Sequence, residues 1–181
     1  MRWDVHGERS LYESDWMNLR LVDVEVPGGP RFDHHVLRLP HHAAGTVIHD
    51  ADDGRVLLLW RHRFITDSWG WEIPAGNLDR GETPVAGAFR EALEETGWAP
   101  RELRPLARYH PMPGAVDQTF HLFVAAGAEH RGEPADPGES ERVEWVPVPE
   151  VREALTDGRV SEGMSLTGLA LAVVSGALDA R

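Results

Sequence analysis

A chain of 181 residues, 41% apolar and 27% charged, has the size and composition of one globular domain that buries roughly 70% of its unfolded surface. Its formal net charge of −12 argues against a general binder of nucleic acid or of anionic membranes. There is no cysteine, hence no disulfide framework and no cysteine-based zinc site; no apolar run approaches the ~20 residues of a membrane span, and MRWDVHGERS does not read as a signal peptide, so the cytoplasm is the expected location.

Residues 1–15 are polar and predict little structure. From Trp16 to Val26 apolar and polar residues alternate as in a strand, PGGP at 27–30 is a turn, and 31–39 reads as the returning strand. A hairpin of this kind is marginal alone, so residues 1–42 are expected to form an N-terminal extension packed on the main domain, 43–181, or on a second subunit. Ala43–Ile48, the turn Asp52-Asp53-Gly54 and Val56–Trp60 predict a second hairpin, and Trp69–Ile73 a short strand. Next come a helix over 84–96 and strands over 103–109 and 119–125, separated by PMPGAVDQ. Residues 127–142 form a Gly/Pro/Glu-rich loop, 143–148 a strand, 149–156 a short helix and 161–179 a closing helix. One acidic helix among strands, with a helix at the end, suggests an α/β fold in which a mixed sheet is covered on both faces, an α/β/α sandwich.

The helix over 84–96 carries the chemistry. Thr83 suits its N-cap, Pro84 its first position and Gly97 a left-handed stop. At about 100° per residue, Val85, Ala88, Phe89, Ala92 and Thr96 form a core face, and Glu91, Glu94 and Glu95 fall opposite, with Gly87 among them. Such a cluster is ordinarily a solvated surface. Yet Glu91 and Glu95 are a like-charge i,i+4 pair, which weakens a helix by a few tenths of a kcal/mol, and although Arg90 can pair with Glu94, nothing nearby on the helix neutralises the other two. Hard carboxylate oxygens without a counter-ion invite Mg²⁺ or Mn²⁺, and Gly87 leaves room beside Glu91.

From Gly76 the spacing is five residues, Glu82, seven residues, then Arg90-Glu91-Ala92-Leu93-Glu94-Glu95-Thr96-Gly97-Trp98. This resembles the Nudix box at every fixed position. The resemblance implies the Nudix fold and hydrolysis of a nucleoside diphosphate linked to another group. It assigns metal binding to Glu91, Glu94 and Glu95, with the Ala75 or Gly76 carbonyl as a further ligand. It makes Glu82 and Arg90 the ion pair supporting the loop, between the fixed Gly76 and Gly97. A general base is required within reach of the attacking water; Glu94 is one candidate, and Glu139 and Glu141, where similar enzymes place a catalytic Glu, are the others. The plain reading of the latter two is solvated loop charge.

Substrate choice rests on fewer marks. Trp71–Gly76 resembles the segment preceding the box in ADP-ribose pyrophosphatases, and Pro113, sixteen residues beyond Gly97, stands where those enzymes carry a proline. Arg61 and Arg63 fit their phosphate-facing arginines, with the planar bidentate donors a diphosphate wants. Glu72 either hydrogen-bonds substrate or caps the loop; Trp16 either stacks on adenine or fills the hairpin core. Where the ADP-ribose enzymes carry a Glu after Pro-Gly, this chain has Asp117, of shorter reach, which keeps other nucleotide sugars and dinucleotides open as substrates. The resemblance also implies a homodimer whose N-terminal strands reach across the partner. A non-catalytic ADP-ribose sensor is a third reading, but such regulators carry a DNA-binding domain after the Nudix part, and only about 33 residues follow the strand over 143–148. The pairs His34-His35 and His41-His42 do not suit a metal site, because adjacent strand residues point to opposite faces.

Overall fold

The computed structural model describes residues 1–135 and 138–179, and the chain divides into two compact units. Asp136 and Pro137, in the predicted acidic loop, lie outside the described residues.

The first unit comprises Met1–His42 and His110–Thr119. Its strands β1 (Asp4–Glu13), β2 (Asn18–Glu25) and β3 (Arg31–Arg38) form an antiparallel sheet in that order. The predicted hairpin is β2–β3, with Gly28 left-handed in its turn. The expectation of little structure over 1–15 is corrected by β1. That strand carries register shifts between Val5 and Gly7 and between Ser10 and Tyr12, so its apolar residues do not alternate. All ten of its residues are exposed, whereas Leu21, Val22 and Val24 of β2 are buried. The segment 110–119 joins this unit through Leu37 N–H to the Ala115 carbonyl (2.8 Å) and Leu39 N–H to Asp117 Oδ1 (3.0 Å).

The second unit comprises Ala43–Tyr109 and Phe120–Arg181. Its elements are β4 (Ala43–Asp50), β5 (Arg55–Arg63), β6 (Ser68–Glu72), β7 (Ala75–Asn77), α1 (Pro84–Thr96), β8 (Trp98–Pro100), β9 (Arg104–Tyr109), β10 (Phe120–Ala126), β11 (Ala128–His130), β12 (Arg142–Pro147), α2 (Val148–Asp157) and α3 (Gly163–Val174). The main sheet runs β12-β5-β4-β10-β9, with β6 on β5 and β7 on β4; β10 pairs with β4 in parallel, the other pairs are antiparallel, and the sheet is therefore mixed. Ala88 and Ala92 of α1 cover one face over Ala44, Ile48, Leu57, Phe123 and Ala125. Val151 and Ala154 of α2 with Met164, Leu169 and Ala172 of α3 cover the other, over Val47, Val56, Leu58, Leu122 and Val124. This is the α/β/α sandwich. β4 is buried from Ala43 through His49 because both of its faces are covered.

The short strands β7, β8 and β11, three residues each, carry too few positions for a period and were not expected. The closing helix is also shorter than predicted: Glu162 caps its start by accepting from Met164 and Ser165 N–H, and Gly176, at φ 72°, follows its end. Among the described residues no helix is long and apolar enough to cross a membrane.

Candidate active site

The α1 caps form as the sequence predicts: Thr83 Oγ1 accepts from Ala86 N–H, and Gly97, at φ 75°, donates its N–H to the Leu93 carbonyl. The core face forms only in part. Val85 and Phe89 are exposed, while Gly87, Ala88, Ala92, Glu95 and Thr96 are buried. Gly87 is buried because Leu78 packs against its bare backbone, where a side chain would overlap it, and a side chain at Gly76 would likewise overlap the Glu91 carboxylate. Room beside Gly87 is thus taken by Leu78, and the bare backbone of Gly76 is the cradle in which Glu91 lies.

Antiparallel pairing of β5 with β6 sets Leu59 opposite Glu72 and Arg61 opposite Gly70, which puts Arg61, Arg63 and Glu72 on one face. Arg63 donates from Nε and Nη2 to the two oxygens of Glu72 at 2.9 and 2.6 Å. Arg61, 5% exposed, donates from Nη2 to Glu95 Oε1 at 2.6 Å, and Glu95 Oε2 accepts from the Ala75 N–H at 2.8 Å. The Arg61 Nε is buried and has no hydrogen-bond partner among the described residues, Glu72 Oε2 standing off at 3.9 Å. Arg61 Nη2 also lies 4.0 Å from Glu139 Oε2.

Arg90 organises the other side. It donates from Nε and Nη2 to the two oxygens of Glu82 at 2.9 Å each, from Nη1 to Glu91 at 2.8 Å and Glu94 at 3.0 Å, and from Nη2 to the Asn77 carbonyl at 3.0 Å. Glu82 in turn accepts from Asp79 N–H. These bonds tie the loop 77–82 to α1, and those from Arg90 hold the Glu82 carboxyl below its usual range. Both Glu91 and Glu95 gain a cation that helix geometry alone did not offer. For Glu91 it is the adjacent Arg90, whose long side chain curls back; for Glu95 it is Arg61, thirty-four residues away.

Neutralisation is incomplete. Burial pushes the Glu95 carboxyl up to about 7 against the attraction of Arg61, and pushes Glu91 up against Arg90. Among the described residues, no three His, Asp or Glu side chains converge as a ready-made ligand cluster; the α1 carboxylates are each turned to an arginine.

The loop candidates separate. Glu139 is directed at Arg61, whereas Glu141 lines a cavity of about 360 Å³ with Thr96, Trp98, His130 and Ser140. Trp16, Pro113 and Asp117 belong to the first unit. Trp16 is 80% exposed in the turn after β1, which overturns the hairpin-core alternative: its position at Ser14–Met17 is a turn tied by Ser14 Oγ rather than a strand interior. Asp117 is occupied by Leu39 N–H and by Arg38 Nη1 at 3.3 Å. Sequence reasoning did not find the Arg61–Glu95 and Arg63–Glu72 pairs, although the i,i+2 spacing of the two arginines already places them on one face.

The NUDIX domain family model matches residues 39–164. A relative 40% identical over 178 residues, covering 98% of this chain and 85% of its own, is the CMP-5'-(N-acetyl-N-hydroxy-3-aminopropyl)phosphonate hydrolase of Streptomyces rubellomurinus. The ADP-ribose pyrophosphatase of Bacillus subtilis is 29% identical over 142 residues, 78% of this chain and 76% of its own. Among solved structures, an ADP compounds hydrolase superposes with a TM-score of 0.85 at 20% identity, over 97% of this chain and 94% of that one, a likeness of fold. The chain belongs to the Nudix family and is a Nudix pyrophosphohydrolase.

Proposed function

We propose that the protein hydrolyses the diphosphate linkage of a nucleoside diphosphate derivative in a Mg²⁺-dependent reaction, with ADP-ribose, cut to AMP and ribose 5-phosphate, as its first candidate substrate. The observation that carries this reading is the placing of Arg61 and Arg63 on one face of β5 beside the α1 carboxylates, Arg61 bonded to Glu95 and 4.0 Å from Glu139. Planar guanidinium groups so placed suit the oxygens of a diphosphate, which they can bind through paired charge-assisted hydrogen bonds.

Glu91, Glu94 and Glu95, with the Ala75 carbonyl, would hold Mg²⁺ or Mn²⁺. They fit it as hard oxygen donors, two of them raised by burial and so short of positive charge. Such an ion supplies charge neutralisation and Lewis acidity. The Arg61 and Arg63 guanidinium groups then bind phosphoryl oxygens and orient the diphosphate. Glu139, in this reading the base, takes a proton from water as its oxygen attacks one phosphorus; the bridging P–O bond breaks and its oxygen leaves with the second phosphoryl group. Glu72, 3% exposed and doubly bonded to Arg63, aims that arginine and does not itself meet substrate.

A second reading has its own support. The 40% identical relative matches both units of the chain, and its name specifies a CMP–phosphonate conjugate. Asp117, which would substitute for a Glu of the ADP-ribose enzymes, is already held by Leu39 and Arg38. A cytidine 5'-phosphate joined to a phosphonate is thus the competing substrate. Product analysis with Mg²⁺ or Mn²⁺ on ADP-ribose, the CMP conjugate and a panel of nucleotide sugars separates them. The higher kcat/KM for ADP-ribose supports the first reading, the higher value for the CMP conjugate replaces it, and cleavage of neither refutes both.

Arg63→Ala is expected to raise KM roughly tenfold or more with a smaller change in kcat, since a charge-assisted hydrogen bond contributes about 1.5–3 kcal/mol. An unchanged KM would leave Arg63 as a partner of Glu72 alone.

The Glu95 carboxyl gives a stability signature. Its folded value, about 7, lies above the ordinary 4.5, so folding favours its protonated form. That contribution is complete below pH ~4.5 and is lost as pH rises through ~7, on the order of 3 kcal/mol in all. In the presence of a chelator the melting temperature should therefore fall between pH 5 and 8, and added Mg²⁺ should raise it far more at pH 8 than at pH 5. Equal Mg²⁺ shifts at both values would remove Glu95 from the ion site.

A further inference from the structure

We infer that Gly97 is a positioning residue for the reaction: its lack of a side chain seats residues 131–135 on the C-terminal end of α1, and this seat fixes where the same loop presents Glu139. The inference rests on the assignment of Glu139 as the base.

The plain role of Gly97 is to stop the helix, and its φ of 75° serves that role. It does more, because a Cβ at this position would overlap the carbonyl oxygen of Gly132 and come within 3.3 Å of the Glu133 carbonyl carbon. Those are main-chain atoms, with no rotamer by which to yield. The contact is reinforced on both sides. Arg131 N–H donates to the Gly97 carbonyl at 2.8 Å, and Ala135 N–H donates to the Glu94 carbonyl at 2.8 Å. The second bond uses one of the last carbonyls of α1, which have no partner within the helix. It also attaches the loop to the residue whose side chain is a proposed ion ligand.

Leading into the seat, β11 pairs with β8 so that His130 stands opposite Trp98, their rings 4.9 Å apart. Beyond Glu139 the chain is fixed again. Glu141 N–H donates to the Trp60 carbonyl at 2.9 Å, and the Arg142 guanidinium lies over the rings of Trp60 and Trp71 at 5.4 and 5.2 Å. In the sequence Glu139 thus lies between an anchor on the ion-binding helix, at Ala135, and an anchor on β5, the strand that carries Arg61, at Glu141. The base and the groups it works with are referenced to the same two elements, so a shift of either stem moves the base relative to the phosphate site.

Gly97→Asn separates the two roles. Asn tolerates the left-handed conformation, so the helix stop survives, but its Cβ still meets Gly132. Gly158, at φ 90°, ends α2 with open space where a Cβ would stand, and Gly158→Asn is the control for a glycine that only stops a helix. Ala135→Pro removes the N–H that reaches Glu94 without touching Gly97, and carries the test should Gly97→Asn fail to fold.

Steady-state kinetics and melting temperatures of these variants, alone and combined with Glu139→Gln, decide the matter. Gly97→Asn and Ala135→Pro should each lower kcat, by up to on the order of 100-fold, with KM little changed, while Gly158→Asn keeps wild-type kcat. Combined with Glu139→Gln, neither should lower kcat further, since both act through the base that is already gone. Wild-type kcat in the folded variants, or losses that multiply in the double variants, would overturn the inference alone. Wild-type turnover in Glu139→Gln itself would overturn the base assignment and the inference with it.

Discussion

Glu94→Gln is expected to lower kcat by about 10²- to 10⁴-fold, the several kcal/mol of barrier that an ion-held charge contributes, while moving the melting temperature by no more than about 2 °C. The contrast between the two readouts follows from where Glu94 sits. Its side chain is 46% exposed and pairs with Arg90 at 3.0 Å, one helical turn away. An exposed i,i+4 pair contributes only about 0.3–0.5 kcal/mol, and Gln keeps an acceptor for Arg90. Glu91 lies in the Gly76 cradle and Glu95 is buried against Arg61, so removing either charge also disturbs the fold and blurs the kinetic result. Glu94 is the one of the three whose loss reads on chemistry alone. Wild-type turnover by Glu94→Gln, measured with saturating Mg²⁺, would take it out of the ion site.

What the amino-acid sequence makes legible depends on the range of the interactions. The caps of α1 are local: a hydroxyl at Thr83, a ring at Pro84 and a bare backbone at Gly97 each act within four residues, and each was visible as a residue type at a spacing. The sandwich was visible for a similar reason, since β4 and β5 are long enough to show their buried character. The close packing of the loop before α1 on the helix is not visible in the sequence. It is set by Leu78 against Gly87 and by Gly76 against Glu91, contacts between a loop and a helix that no helical wheel contains. Nor is the neutralisation of Glu95, which crosses from α1 to β5. Strand β1 leaves no strand pattern in the sequence because its two register shifts break the alternation that marks a strand. The acidic loop offered two equally spaced candidates, and only its path separates Glu139, beside Arg61, from Glu141, in a cavity with Trp98 and His130.

That separation makes the pair Glu139→Gln and Glu141→Gln the sharpest test of the reaction. Glu139→Gln should reduce kcat by about 10²- to 10⁴-fold, the usual contribution of a positioned base, with KM close to wild type. Gln keeps the size and most of the polarity of Glu but cannot accept a full proton from water. Glu141→Gln should stay within about twofold of wild type. Glu141 is fixed to Trp60 through its main-chain N–H, which the substitution leaves in place, and its side chain lines a cavity with Thr96, Trp98, His130 and Arg142, the last stacked on Trp60 and Trp71 and paired with Glu144 rather than assigned to phosphate in this reading. Because the two residues are two positions apart on one exposed loop, nonspecific damage to the loop would depress both variants alike. A reversed pattern would transfer the role to Glu141 and require the loop to adopt another path. Full activity in both would leave Glu94 as the remaining candidate, and the pronounced loss expected of Glu94→Gln would then report a base and not only an ion ligand.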